Sequence, residues 1–143
     1  NEIYEKNINK IEIIPILGDA KDSNFINSVF SKYKIDSIFH AAAYKHVPLV
    51  EFSENVLYSV ENNIFGTLSV MQSCIKQKVK SAILVSTDKA VNPTNVMGAT
   101  KRVAELYVNA QTSDHTKFMV TRFGNVLGSA GSVVPLFKKQ KFH

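Results

Sequence analysis

A chain of 143 residues, 45 % of them hydrophobic, is long enough for one core and too short for two ordinary domains. Its formal net charge is +5, but apart from the "KKQK" of 138–141 the lysines are scattered (Lys6, Lys10, Lys32, Lys34, Lys76, Lys80), so no stripe points to a nucleic acid. The single cysteine, Cys74, excludes a disulfide framework and favours a reducing compartment; no run reaches the roughly 18 apolar residues of a membrane span, and "NEIYEKNINK" has none of the marks of a secretory signal.

Along the chain, short bulky stretches alternate with segments of helical spacing. "IEIIPIL" (11–17) reads as a buried strand, and "SNFINSVFSKY" follows as a helix capped by Ser23, with Phe25, Val29 and Phe30 on one side. "DSIFHAA" (36–42) is the second strand. Residues 53–76 then place Val56, Val60, Ile64, Leu68 and Met71 along one helical stripe. "SAILVS" (81–86) is the third strand, "ATKRVAELYVNA" a helix facing inward through Val103, Leu106 and Ala110, and "KFMVTRF" (117–123) the fourth strand, with a further helix from Val133.

Strands alternating with crossover helices predict an α/β fold: a doubly wound parallel sheet with helices on both faces. Ligands of such sheets bind outside the carboxyl ends of the strands. Here those ends read "LGDAKD", "HAAAYKHV", "STDKAVNP" and "RFGNVLGS", which hold most of the unusual residues.

In "GDAKD" an acid at a strand end can take a hydrogen bond from a ligand, and the glycine lets the ligand approach; Asp22 and Ser23 serve equally well as a helix cap. In "HAAAYKHVP" the three alanines Ala41, Ala42 and Ala43 leave bare backbone for a flat adenine or a pyrophosphate, or allow tight packing of strand on helix. Lys45 and His46 offer positive charge or hydrogen bonds to an anion, while His40 reads as structural.

The stretch "STDKAVNPTNVMGATK" is the richest. Thr87, Asp88 and Lys89 project from a strand end, and Lys101 lies one helical turn beyond Met97. A hydroxyl, a carboxyl and an amine side by side can bind a sugar hydroxyl, donate a proton and accept one; for Lys89 to act as a base, neighbouring positive charge must lower its pKa. No GxGxxG phosphate loop occurs: either this is no dinucleotide fold or the loop lies upstream of Asn1, and "IEIIPILGD", which looks like the third strand of a fuller sheet, favours the second. No metal site is predicted.

Taken together, "HAAAYKHVPLVE", "NNIFGT", "STDKAVNPTNVMGATKRVAELY" and "RFGNVLGSAGSVVPLFKKQ" resemble the extended short-chain dehydrogenase branch of nucleotide-sugar 4,6-dehydratases of bacterial polysaccharide biosynthesis, in order over residues 36–140. The resemblance implies a Rossmann-type fold and NAD or NADP recycled within each turnover; residues 1–143 would then be part of a single NAD(P)-binding domain, incomplete at both ends, expected by itself to bind NAD(P) weakly or not at all and to aggregate or self-associate. It implies that Asp19 and Ala20 lie at the adenine, that Ala41 to Ala43 line the adenosine and phosphate path, and that Phe123 is a further cofactor contact.

For catalysis it implies Thr87 at sugar carbon 4, an un-ionised Asp88 as general acid, Lys89 as general base and Lys101 at the nicotinamide ribose, with Asn63 structural. Lys45, His46, Asn125 and Val134 would meet a UDP-sugar of the N-acetylglucosamine type. Met97 stands where the wider superfamily has tyrosine, as in the membrane-attached dehydratases; the implied setting is a cytoplasmic catalytic domain tethered to the bacterial inner membrane, homo-oligomeric when complete. A 4-epimerase or reductase on the same fold, or a binding module without catalysis, are the alternatives.

Overall fold

The computed structural model describes residues 12–124 and residue 126. Helix α1 (Ser23–Tyr33) begins at Asp22, whose carboxylate accepts from the backbone N–H groups of Asn24 and Phe25, both at 3.0 Å. The cap is therefore the acid and not the neighbouring serine, because Asp22 holds the extended conformation that leaves its side chain facing the unpaired donors of the first turn. The helix stops at Lys34, whose positive φ of 48° turns its N–H back onto Phe30 O.

Strand β1 (Ser37–His40) leads into the short helix α2 (Val47–Val50) and then α3 (Ser53–Val60). The expected single helix over 53–76 is interrupted: residues Glu61–Phe65 form a π-turn, closed by Gly66 N–H on Glu61 O five residues back, before α4 (Gly66–Lys76) resumes. Strand β2 (Ser81–Thr87), a 3₁₀ turn at Asp88–Ala90, helix α5 (Val96–Asn109) and strand β3 (Lys117–Phe123) complete the described elements.

The strands form a parallel sheet in the order β1-β2-β3, with His40 beside Leu84 and Thr87 beside Phe123. On one face, Ile38, His40, Ala82, Leu84, Phe118 and Val120 meet α1, α4 and α5, and Phe30, Val70, Met71, Cys74, Ala104 and Val108 close that core. Met71 and Leu84 are fully buried; each such side chain contributes roughly 1.5–3 kcal/mol relative to exposure. The opposite face carries Phe39, Ile83, Val85, Met119 and Phe123, with Phe39 73 % exposed, so the strands are apolar on both faces, as those of a doubly wound sheet are.

Two further expectations change. Residues 12–18 carry no strand, and Leu17 is 99 % exposed: Pro15 has no N–H to give, and no described strand lies alongside to pair with the rest. Helix α5 also faces the other way, burying Met97, Thr100, Lys101, Ala104, Glu105 and Val108 and leaving Val103 and Leu106 exposed. Hydrophobicity alone picked the wrong stripe because two of the inward residues are charged.

His40 is buried at the end of β1, with Nε2 3.1 Å from Thr67 Oγ1. The Thr67 hydroxyl donates its only proton to Asn63 O at 2.7 Å, so His40 Nε2 carries the proton and donates it to Thr67. Burial, helped by the nearby Lys101 charge, lowers the His40 pKa to about 4 from 6.5. The unfolded chain therefore takes up a proton between those values that the folded chain refuses, and stability falls as pH drops through that window, by up to about 3 kcal/mol. Urea unfolding of the protein at about pH 7 and pH 4.5 should show this loss, and His40→Gln, which has no group titrating there, should be flatter over the same range.

Candidate active site

Strand β2 delivers three adjacent polar side chains to its carboxyl end. Thr87 accepts from Lys89 N–H at 3.4 Å to cap the 3₁₀ turn, and its hydroxyl donates to Asp88 Oδ1 at 2.9 Å. Lys89 Nζ stands 3.4 Å from the same oxygen. Both charged side chains are open to solvent, at 56 % for Asp88 and 43 % for Lys89. The Thr87 hydrogen bond, with the Lys89 charge behind it, holds the Asp88 carboxyl below its ordinary pKa. An un-ionised Asp88 is thus not what this arrangement provides; its proton donors and its exposure favour the carboxylate.

Helix α5 is brought against this turn by its first residues. Asn95 Oδ1 accepts from Gly98 N–H at 2.8 Å, and Glu51 Oε1, at the end of α2, accepts from Val96 N–H at 2.6 Å, so two of the unpaired donors of the helix start are met. Gly98 then touches the backbone carrying Lys89: a Cβ there would lie 2.5 Å from Lys89 O. One turn on, Lys101 is 7 % exposed and its Nζ donates to Val85 O at 2.9 Å. Burial lowers its pKa to about 8, against the pull of Glu105 in the other direction. Met97, on the same face, is buried.

Asn63, inside the π-turn, ties the remaining strand end to this helix. Its side chain accepts from Tyr44 N–H at 2.8 Å and donates to Tyr44 O at 3.2 Å and Thr100 Oγ1 at 3.0 Å. The loop 41–46 is thereby fixed, with Ala41 and Ala42 exposed and Ala43 half-buried. A cavity of about 680 Å³ opens beside it, lined by Ala41, Ala43, Tyr44, Lys45 and His46 and by α2 and α3 through Leu49, Val50, Asn55, Tyr58 and Ser59. It gathers most of the loop candidates but none of Thr87, Asp88, Lys89, Met97 or Lys101.

The other candidates are dispersed. Asp19 is exposed and accepts from Lys21 N–H at 2.8 Å, and Lys21 Nζ reaches Glu61 on the π-turn at 3.3 Å; Ala20 packs against the edge of the core. Phe123 is half exposed at the end of β3, and the next residue, Gly124, would place a Cβ 3.7 Å from Asp88 Oδ2. Asn125, Val134 and the helix expected from Val133 lie outside the described residues.

Sequence reasoning missed Glu51, Glu105 and Arg122. Glu105 is fully buried and receives Arg122 through two hydrogen bonds, Nε to Oε1 at 2.8 Å and NH2 to Oε2 at 2.7 Å. The available signals were a glutamate four residues after Lys101, hence on its face, and an arginine at an inward position of a strand. Among the described residues, no group of three or more His, Cys, Asp or Glu side chains is arranged to hold a metal ion, and no helix is long and apolar enough to cross a membrane.

The profile of a family described as "Polysaccharide biosynthesis protein" matches residues 1–142. The chain is 47 % identical over 134 residues to the capsular polysaccharide biosynthesis protein CapD of Staphylococcus aureus, covering 92 % of this chain and 22 % of that protein. It is 43 % identical over 127 residues to a UDP-N-acetylglucosamine 4,6-dehydratase (inverting) of Campylobacter jejuni, covering 86 % of this chain and 37 % of that one. In structure it is similar to Pen from Bacillus thuringiensis, with a TM-score of 0.87 and 39 % identity over 99 % of this chain and 44 % of that one. The chain thus spans less than half the length of each of these proteins.

The contact of Gly98 with Lys89 O leaves no room for a methyl group. In Gly98→Ala, α5 and the 3₁₀ turn must part, with an expected cost of about 1–3 kcal/mol in chemical denaturation and amide shifts concentrated at residues 87 to 90 and 97 to 101. A fully stable variant with unmoved amides would show that the close approach does not constrain the site.

Proposed function

The chain belongs to the family of polysaccharide biosynthesis proteins, and from that premise we propose that it carries the catalytic strand ends of an NAD(P)-dependent nucleotide-sugar 4,6-dehydratase acting on a UDP-N-acetylglucosamine-type substrate. The observation that carries this reading is the meeting of Thr87, Asp88 and Lys89 with the start of α5 through the Gly98 contact, which puts the exposed trio and the buried Lys101 on one rigid unit. The residues fit a dinucleotide. Lys101 has spent one N–H on Val85 O and keeps others for a ribose, and the exposed backbone of Ala41 and Ala42 lets a planar ring or a phosphate come close.

When bound, the nicotinamide would supply a reversible two-electron oxidation, taking hydride from sugar carbon 4 and giving it back at carbon 6 once water has left. Thr87 holds the oxygen on that carbon. Once it is a carbonyl, the hydrogen at carbon 5 is acidic, and Lys89 in its neutral form removes it. The 6-hydroxyl then needs a proton to leave. Asp88 starts as a carboxylate, so it must gain that proton during the reaction, and the Lys89 ammonium 3.4 Å away is the donor within reach. Lys89 and Asp88 act as one relay, passing a proton from carbon 5 to the departing oxygen, while the 4-hydroxyl proton leaves to solvent and solvent returns a proton to carbon 5. The membrane attachment that the resemblance through Met97 implies belongs to the same reading.

The test uses the complete protein with UDP-N-acetylglucosamine and NAD or NADP, with sugar NMR as the readout. The expected product is a 4-keto-6-deoxy sugar carrying solvent deuterium at carbon 5 when the reaction runs in D₂O. Lys89→Ala should lower turnover by about 10²–10⁴-fold. A product inverted at carbon 4 that keeps its 6-hydroxyl would mark an epimerase instead, and undiminished turnover by Lys89→Ala would remove the base from the scheme.

A further inference from the structure

The cavity beside the 41–46 loop has a lining that the proposed chemistry leaves unused. Four of its side chains carry polar groups that make no hydrogen bond to another described residue: the Tyr44 hydroxyl, the His46 ring, Asn55 Oδ1 and the Tyr58 hydroxyl. Asn55 is held in place all the same. Its Nδ2 donates to Leu49 O at 2.9 Å, which fixes the amide and leaves Oδ1 as an acceptor. The rest of the wall is partly aliphatic, with Leu49 59 % exposed and Val50 buried. A cavity of about 680 Å³ with an apolar wall and a few convergent polar groups has the size and composition of a small-molecule site.

The cavity is tied to the catalytic turn by two routes. β1 and β2 are parallel neighbours, with His40 beside Leu84, so the 41–46 loop and the trio of Thr87, Asp88 and Lys89 leave the sheet at the same end. Glu51, directly after the cavity residues Leu49 and Val50, accepts from Val96 N–H at 2.6 Å, and Val96 opens the helix whose Gly98 touches Lys89 O. The Asn63 amide joins Tyr44 to Thr100 on that same helix. A ligand that reaches from the trio to the cavity therefore meets both on one rigid frame.

We propose that this cavity receives the acylated amino group of the substrate sugar, with Asn55 Oδ1 accepting its amide N–H and Leu49 packing on its acyl methyl, so that Asn55 and Tyr58 select an acylamino sugar over a plain hexose. The lining chemistry favours this occupant. An amide N–H calls for a fixed acceptor, and Asn55 Oδ1 accepts and cannot donate. Sugar hydroxyls both donate and accept, as the Tyr44 and Tyr58 hydroxyls do, and the two rings offer apolar faces to the C–H side of a pyranose. An anion alone would leave the aliphatic wall bare and would meet a second acceptor in Asn55 Oδ1.

This inference rests on the proposed function for the identity of the sugar, and its test reads binding and not turnover, so the two can fail apart. The experiment is calorimetry and saturation-transfer NMR on the complete protein with UDP-N-acetylglucosamine, UDP-glucose and UDP, for the unsubstituted protein, Asn55→Ala and Tyr58→Phe. The expected result is that UDP-N-acetylglucosamine binds about tenfold tighter than UDP-glucose with its acetyl methyl strongly saturated, and that Asn55→Ala cuts the preference to about twofold. Tyr58→Phe removes a hydroxyl that no described residue holds, so it leaves the fold intact and should weaken both sugars several-fold relative to UDP. Equal affinity for the two sugars, an unsaturated acetyl methyl, or affinities unmoved in both variants would overturn the proposal. Loss of the acetyl signal on adding NAD or NADP would also overturn it and give the cavity to the dinucleotide. Dehydration of UDP-N-acetylglucosamine despite any of these leaves the proposed function standing. The expected preference in a protein that yields no 4-keto product would support the cavity assignment and sink the proposed function.

Discussion

The amide of Asn63 is the constraint on which the arrangement of the strand ends depends. Its oxygen accepts from Tyr44 N–H and Asn62 Nδ2, and its nitrogen donates to Tyr44 O and Thr100 Oγ1, so one buried side chain joins the loop after β1 to the middle of α5. It can do so because it sits in the π-turn, where the wider helical step offsets α3 from α4. Its own carbonyl is taken by the Thr67 hydroxyl, which in turn receives His40. Both atoms of the Asn63 amide and the hydroxyls of Thr67 and Thr100 are paired, which makes the network stabilising. Losing one member would strand buried donors or acceptors at about 1–3 kcal/mol each.

That network and the Glu105–Arg122 clamp act on opposite sides of the same helix. One fixes α5 against the loop that carries Ala41 to His46, the other against β3, and the Gly98 contact sets its height above the Asp88–Ala90 turn. The three together leave α5 little freedom to slide. The consequence is a division of labour between two lysines of the same sequence neighbourhood. Lys89 is exposed, next to a carboxylate and able to exchange protons with water or a ligand; Lys101 is buried, hydrogen-bonded to backbone and held by its surroundings. A rigid base beneath a solvent-facing trio is what positioned acid–base chemistry requires.

Much of this was legible in the sequence where a local rule is strong. The bulky runs at 81–86 and 117–123 become β2 and β3 because β-branched and aromatic residues on both faces suit a parallel sheet, and the trio at 87–89 follows directly from where β2 ends. The sequence was misleading where burial is electrostatic. Val103 and Leu106 outrank Lys101 and Glu105 on any hydrophobic scale, yet the charged pair faces inward because Arg122 and Val85 O are there to receive it, information held some twenty residues away in the chain. The break of the long helix at 61–65 was hidden for a similar reason: the apolar stripe runs through it unbroken, and only the partners of Asn63 explain the wider turn.

Met97 can now be placed in physical terms. It is buried at the first inward position of α5, where its thioether needs no hydrogen-bond partner and its carbonyl is occupied by Thr100 Oγ1. A phenol in its place would add a buried hydroxyl that must be satisfied. With a thioether there, position 97 adds no titrating group to the buried face that carries Lys101. The ionisable side chains that solvent can reach at the end of β2 are Asp88 and Lys89. Their pairing through a single carboxylate oxygen leaves the other, Asp88 Oδ2, facing Gly124, where an added Cβ would stand 3.7 Å away in ordinary van der Waals contact, so the end of β3 closes directly on the carboxylate that the end of β2 presents.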